Sequence, residues 1–147
     1  MKTAILIPAR YSSTRYPGKP LVELTLPDGS QKSLIRLTWE AAQGVQGVDE
    51  VHVVTDDDRI RNTAEGFGAS VIMTSPECEN GTARCAAALS TGAFEADLVV
   101  NLQGDAPLTP HWFVEDLLAA MVEDEEAQVA TPVLQCGNLT YEHFIKD

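Results

Sequence analysis

Arg10, Arg15 and Lys19 share one short segment, Arg-Tyr-Ser-Ser-Thr-Arg-Tyr-Pro-Gly-Lys-Pro (10–20), directly after the apolar run Ala-Ile-Leu-Ile-Pro. The chain carries 10 Lys and Arg against 22 Asp and Glu, a net charge of -12. This segment nevertheless gathers cations and holds no acid. Forked guanidinium donors and a compact ammonium suit phosphate oxygens. The chemistry such a loop offers is the grip of a small polyanion where a buried strand opens, with Ser12, Ser13 and backbone N–H groups as further donors. Gly18 is its sole glycine, so the segment is neither a GxGxxG fingerprint nor a GxxxxGK[ST] phosphate loop. A solvated basic loop is the plainer reading, and it leaves the missing acids unexplained.

Two other loops carry polar side chains in useful places. In Asn-Leu-Gln-Gly-Asp-Ala-Pro (101–107), Asp105 follows an apolar run, where a carboxylate can hold Mg²⁺ alongside waters and substrate phosphates. Gly104 would allow close backbone approach, and Gln103 could read a polar ligand edge. A turn or helix cap would also account for Asp105. In Asn-Gly-Thr-Ala-Arg (80–84), Gly81, Thr82 and Arg84 stand at an expected helix start, where N–H groups attract anions or base edges. The plainer reading there is an N-cap by Thr82 with Arg84 exposed. His52, His111 and His143 form no pattern with a Ser or Cys nucleophile. Cys78, Cys85 and Cys136 lack zinc-like spacing and read as buried, reduced thiols.

These loops need elements to position them. Residues 3–9 form an expected buried strand, and Leu-Pro-Asp-Gly (26–29) is a turn signal. Leu34, Leu37, Thr38, Ala41, Ala42 and Val45 follow helical spacing, with Ser33 placed to cap the start and Gly47 just past the end. Residues 51–55 read as a second strand, followed by three aspartates and a helix carrying Ile60, Ala64 and Phe67, closed by Gly68. Acids at a helix start favour the macrodipole. Residues 69–74 read as the third strand, 82–89 as an Ala-rich helix and 97–103 as the fourth strand. Pro110 opens a helix to about 123, and 128–134 reads as a fifth strand. This alternation predicts an α/β fold, a doubly wound, mostly parallel sheet with helices on both faces. Ligands of such sheets sit beyond the carboxyl ends of the strands, and all three loops belong on that edge.

Composition narrows the function. With 147 residues, 44% of them hydrophobic, the chain can build a core as one domain over 1–147. The acidic balance argues against a nucleic-acid polymer as partner. No segment reaches the roughly 20 apolar residues of a membrane span, and no secretion signal is seen, so a cytoplasmic location without a membrane partner is expected.

The motifs IPARYSSTRYPGKPL, VVTDD, NGTAR, VNLQGDAP and VATPV, in that order, resemble the 3-deoxy-manno-octulosonate cytidylyltransferase (CMP-Kdo synthetase) family, from Ala4 to about Val133. The resemblance implies a nucleotide-diphospho-sugar transferase-like fold. It also implies transfer of CMP from CTP to the anomeric hydroxyl of a sugar acid, with pyrophosphate released, for lipopolysaccharide or capsule synthesis. Matched onto this chain, Arg10, Ser13, Arg15 and Lys19 would grip the triphosphate, beside Ala9 at the strand end. Gly81, Thr82, Arg84 and Gln103 would surround the cytidine, and Asp105 would hold Mg²⁺. Ala83 stands where the family usually has an acid, and Ala106 where it usually has Glu. The family pattern continues beyond 147, where it supplies a further Mg²⁺-binding Asp, most of the sugar-acid pocket and the dimer contacts. The resemblance therefore implies that the C-terminal part of the fold is absent. The expected partners are CTP, a sugar acid and either a second copy of the full-length chain or a complementary C-terminal chain. Two alternatives fit the same residues: a cytidylyltransferase for another sugar acid such as sialic acid, and a non-catalytic nucleotide-binding module.

Overall fold

A computed structural model describes residues 1–12, 15–133, 135 and 137 of the chain. Residues Met1–Glu115 form one compact unit and Asp116–Asp147 a second.

The first unit is built on six short strands: β1 (Thr3–Pro8), β2 (Glu23–Thr25), β3 (Gln31–Ser33), β4 (Glu50–Thr55), β5 (Ser70–Met73) and β6 (Leu98–Asn101). Helices α1 (Leu34–Gln43), α2 (Asp58–Gly66) and α3 (Gly81–Ser90) connect them, and α4 (His111–Glu123) begins in this unit. Four strands make a parallel sheet in the order β5-β4-β1-β6. Every residue of β1 is buried, as a central strand covered on both faces requires. One face of the sheet, Ala4, Leu6, Val54 and Ile72, packs with Cys85 and Ala88 of α3 and with Phe94. Successive strand residues point to opposite faces. Ile5, Ile7 and Val53 therefore meet the other layer, where Ile35 and Ala42 of α1 and Ile60 and Ala64 of α2 are buried. The expected helix-covered, mostly parallel sheet is what forms.

Several local expectations change. The turn signal at 26–29 closes an antiparallel hairpin, β2 with β3, in a separate small sheet. Asp28 Oδ1 accepts from the N–H and hydroxyl of Ser30, which holds its carboxyl below the usual range. Ser33 does occupy the N-cap of α1, but its side chain makes no capping hydrogen bond, and the helix ends at Gly44 rather than at Gly47. The cap of α3 is Asn80, whose side chain accepts from the Ala83 N–H at 2.8 Å, so Thr82 does not cap it. Cys85 is buried, which pushes its thiol up to about 11, while Cys78 is half-buried and Cys136 lies outside the described residues.

In the second unit, α4 continues to Glu123 and the chain turns, with the Ala127 N–H donating to the Asp124 carbonyl at 3.1 Å. Residues 128–133 form no strand, correcting the expectation of a fifth strand, and Leu134 lies outside the described residues. Val129 and Val133 are almost fully exposed. β-Propensity alone does not make a strand without a ladder to join. Among the described residues, no helix is long and apolar enough to cross a membrane.

Candidate functional site

Chain order reverses at β1. The sheet grows from β1 to β4 to β5 on one side, then returns to place β6 on the other. The loops after β1 and β6 diverge at this switch point, which opens a crevice beyond the carboxyl ends of the strands. Backbone bonds carry the register past the strand ends. The Ala9 N–H donates to the Val54 carbonyl at 2.9 Å, and the Gly104 N–H to the Pro8 carbonyl at 3.3 Å. Gly104 is also held from below, because its carbonyl accepts from the buried Thr38 hydroxyl at 3.1 Å.

A cleft of about 810 Å³ occupies the crevice. Arg10, Arg15 and Lys19, from the loop after β1, and Gln103, Gly104 and Asp105, from the loop after β6, line it. Lys19 Nζ donates to Asp105 Oδ2 at 2.6 Å across it. Both side chains are about half exposed (50% and 48%), so this pair fixes register more than it adds stability. Gly18 makes the geometry possible: in the left-handed region (φ 71) it caps the short 3-10 turn Lys19–Leu21. Pro20, Val22, Leu24 and Leu34 give the cleft an apolar wall, drawn partly from the hairpin closed by the turn at 26–29. Tyr16 also lines the cleft and was not singled out from the sequence.

A second pocket, about 260 Å³, adjoins the first, and Pro8, Ala9, Arg10 and Gln103 line both. Cys78, Asn80, Gly81 and Arg84 complete it. Gly81 is close-packed there: a Cβ would come within 3.0 Å of Gln103 Nε2 and 3.1 Å of Pro8 Cγ. Gln103 Nε2 donates to Asn101 Oδ1 at 2.8 Å, and Asn101 Nδ2 to Thr82 Oγ1 at 3.3 Å, a polar string from β6 to the start of α3. Thr82 itself is in neither lining and serves that string. Arg84 is not exposed, as one reading had it. Its side chain is 3% exposed, pairs with Asp56 Oδ1 at 3.0 Å and donates to Thr74 Oγ1 at 2.8 Å. Asp56 was read from sequence only as part of an acidic helix start. The partner 28 positions on along the chain leaves no local signal.

The three aspartates divide their work. Asp56 meets Arg84, and Asp57 caps α2 by accepting from the N–H groups of Arg59 and Ile60. Asp58 pairs with Arg61 at 3.1 Å. The hydrogen bond from the Arg59 guanidinium is the largest influence holding the Asp57 carboxyl below its ordinary range.

The expected residues therefore gather in two groups. Arg10, Arg15, Lys19, Gln103 and Asp105 share the larger cleft, and Ala9, Arg10, Gly81, Arg84 and Gln103 the smaller, while Ser13 lies outside the described residues. Among the described residues, no three His, Cys, Asp or Glu converge as a cage for a metal ion. One half-exposed carboxylate beside phosphate-seeking cations does fit Mg²⁺, which keeps waters and takes substrate oxygens.

Known proteins match the chain in sequence and in fold. The family described as "Cytidylyltransferase" matches residues 4–142. A 3-deoxy-manno-octulosonate cytidylyltransferase from Maricaulis maris is 41% identical over 134 residues, 91% of this chain and 50% of that protein. An 8-amino-3,8-dideoxy-manno-octulosonate cytidylyltransferase from Shewanella frigidimarina is 43% identical over 120 residues, 81% of this chain and 47% of that protein. A solved CMP:2-keto-3-deoxy-manno-octonic acid synthetase, complexed with CTP, superposes with a TM-score of 0.79 at 41% identity. That match covers 86% of this chain and 49% of the other. The chain thus spans about half the length of these relatives. By its sequence match over 4–142 and its sheet, the chain belongs to the cytidylyltransferase family.

Proposed function

We propose that this chain forms the nucleotide-binding part, over residues 1–147, of an enzyme that transfers CMP from CTP to 3-deoxy-manno-octulosonate. The observation that carries the reading is the Lys19–Asp105 pair at 2.6 Å, spanning a cleft also lined by Arg10 and Arg15. In the reaction, an oxygen–phosphorus bond forms between the sugar hydroxyl and the α-phosphate. The bridging bond to the β-phosphate breaks, pyrophosphate leaves, and the hydroxyl proton passes to solvent. Such chemistry needs alignment and dispersal of charge more than a protein nucleophile.

Arg10, Arg15 and Lys19 bind the β- and γ-phosphates and stabilise the leaving pyrophosphate. Lys19 releases Asp105 as it takes the triphosphate, which frees the carboxylate for the metal. Asp105 would hold Mg²⁺, which would supply charge neutralisation at the phosphate oxygens. The base sits in the smaller pocket, where Gly81 leaves room and Gln103 and the Arg84 guanidinium offer polar edges. The product serves lipopolysaccharide or capsule synthesis. The sugar acid belongs to the manno-octulosonates, because relatives acting on the 3-deoxy and 8-amino-3,8-dideoxy forms are similarly close in sequence.

Calorimetry with CTP and Mg²⁺ tests this reading on the purified chain. Binding of CTP, tighter than binding of CMP, is expected. A chain folded by circular dichroism that binds neither nucleotide would overturn it.

A further inference from the structure

Tyr11 and Arg59 line neither pocket, yet they meet at the root of the cationic loop. The Arg59 guanidinium carbon lies 3.3 Å from the centre of the Tyr11 ring. Arg59 donates from Nε and Nη2 to the Asp57 carboxylate, at 3.0 and 2.6 Å. Asp57 is itself fixed as the N-cap of α2. The guanidinium is thus oriented by a rigid element and lies over the ring, the geometry in which cation–π attraction acts.

The same tyrosine closes the loop. The Gly18 N–H donates to the Tyr11 carbonyl at 2.9 Å. Gly18 also packs on the ring so closely that a Cβ would fall 2.9 Å from Tyr11 Cε2. Arg10 precedes Tyr11 and Lys19 follows Gly18, so both ends of the cationic segment are set by this one residue. Arg10, Arg15 and Lys19 repel one another when no phosphate is bound; Asp105 offsets the Lys19 charge at the far end of the segment, and the Tyr11 contacts act at its root.

We propose that Tyr11 and Arg59 are positioning residues: their stack clamps the cationic loop to α2 and keeps Arg10 and Lys19 preorganised for the triphosphate. The affinity consequence rests on the nucleotide reading above, whereas the clamp itself does not.

The test uses Tyr11→Leu, Arg59→Met, the double variant and the conservative Tyr11→Phe in the full chain. Amide exchange at Gly18, followed by NMR, reads the clamp without nucleotide. Calorimetry with CTP–Mg²⁺ and with CMP reads its consequence. Each single variant should speed Gly18 exchange and weaken CTP binding by about fivefold, the size of an exposed cation–π contact acting on the competent population. CMP affinity should stay unchanged, Tyr11→Phe should behave as wild type, and the double variant should be no weaker than either single. A purely structural role would not split CTP from CMP. Unchanged Gly18 exchange in both singles would overturn the proposal, as would faster exchange with unchanged CTP affinity. Multiplying losses in the double variant would overturn it too. Should the wild-type chain bind no CTP while exchange responds as expected, the clamp stands and the nucleotide reading falls.

Discussion

Gly104→Ala tests how tightly the two loops are joined. Gly104 is not in the left-handed region, so alanine meets no backbone strain and space alone decides. A Cβ would lie 2.9 Å from the Pro8 carbonyl oxygen and 3.2 Å from Ile35 Cδ1. The Ile35 methyl can turn aside. The Pro8 oxygen cannot, because it ends a fully buried strand and accepts the Gly104 N–H. The loop after β6 must therefore move outward. Overpacking of this kind costs about 1–3 kcal/mol, and the stiffer unfolded chain offsets about 0.4–1 kcal/mol. The net loss of about 1–2 kcal/mol corresponds to a melting temperature lower by about 3–6 °C for a chain of this size. Thermal circular dichroism reads the stability, and calorimetry should show weaker CTP binding, because Asp105 moves with the loop. An unchanged melting temperature and unchanged CTP affinity would refute the close junction of β1 and β6.

Three further outcomes follow from the geometry. Lys19→Ala should weaken CTP binding by about tenfold or more while CMP affinity barely changes; equal losses for both in calorimetry would place Lys19 away from the outer phosphates. Arg84→Met should destabilise the fold by about 3 kcal/mol, since breaking a buried pair strands the Asp56 charge. Adding Asp56→Leu should recover most of that loss in denaturant melts, and no recovery would argue against the pair. Asp57→Ala should cost about 1 kcal/mol by removing the α2 cap. The folded carboxyl is held below its ordinary value of 3.8, so its contribution is present above that pH and disappears as pH falls further. The variant's stability deficit should shrink in acid, and a deficit constant with pH would contradict the assignment.

Much of the sheet was legible because β1, β4, β5 and β6 are short apolar runs bounded by polar loops, and buried parallel strands require that pattern. The cationic segment and Asp105 were legible as charge set against an acidic background. The turn at 26–29 was legible, but the strands flanking it escaped because Glu-Leu-Thr and Gln-Lys-Ser are only three residues each and largely solvent-facing. Residues 128–134 read as a strand, but 128–133 find no partner ladder among the described residues. The cap of α3 moved from Thr82 to Asn80, a two-residue difference that side-chain geometry decides. The burial of Arg84 was not legible because it depends on Asp56 and Thr74, which only the folded sheet brings near. The same holds for Arg59, which becomes notable once Tyr11 lies beneath it.

The proposed triphosphate site pairs a basic loop with one aspartate, joined in this structure by the Lys19–Asp105 contact. Titrating CTP into the wild-type chain and Asp105→Asn, each with and without Mg²⁺, tests it most directly. Mg²⁺ should tighten CTP binding to the wild type by about tenfold, roughly 1.4 kcal/mol, and leave Asp105→Asn unaffected. An equal Mg²⁺ effect on both proteins would show that Asp105 does not hold the metal, and the proposed arrangement would be wrong.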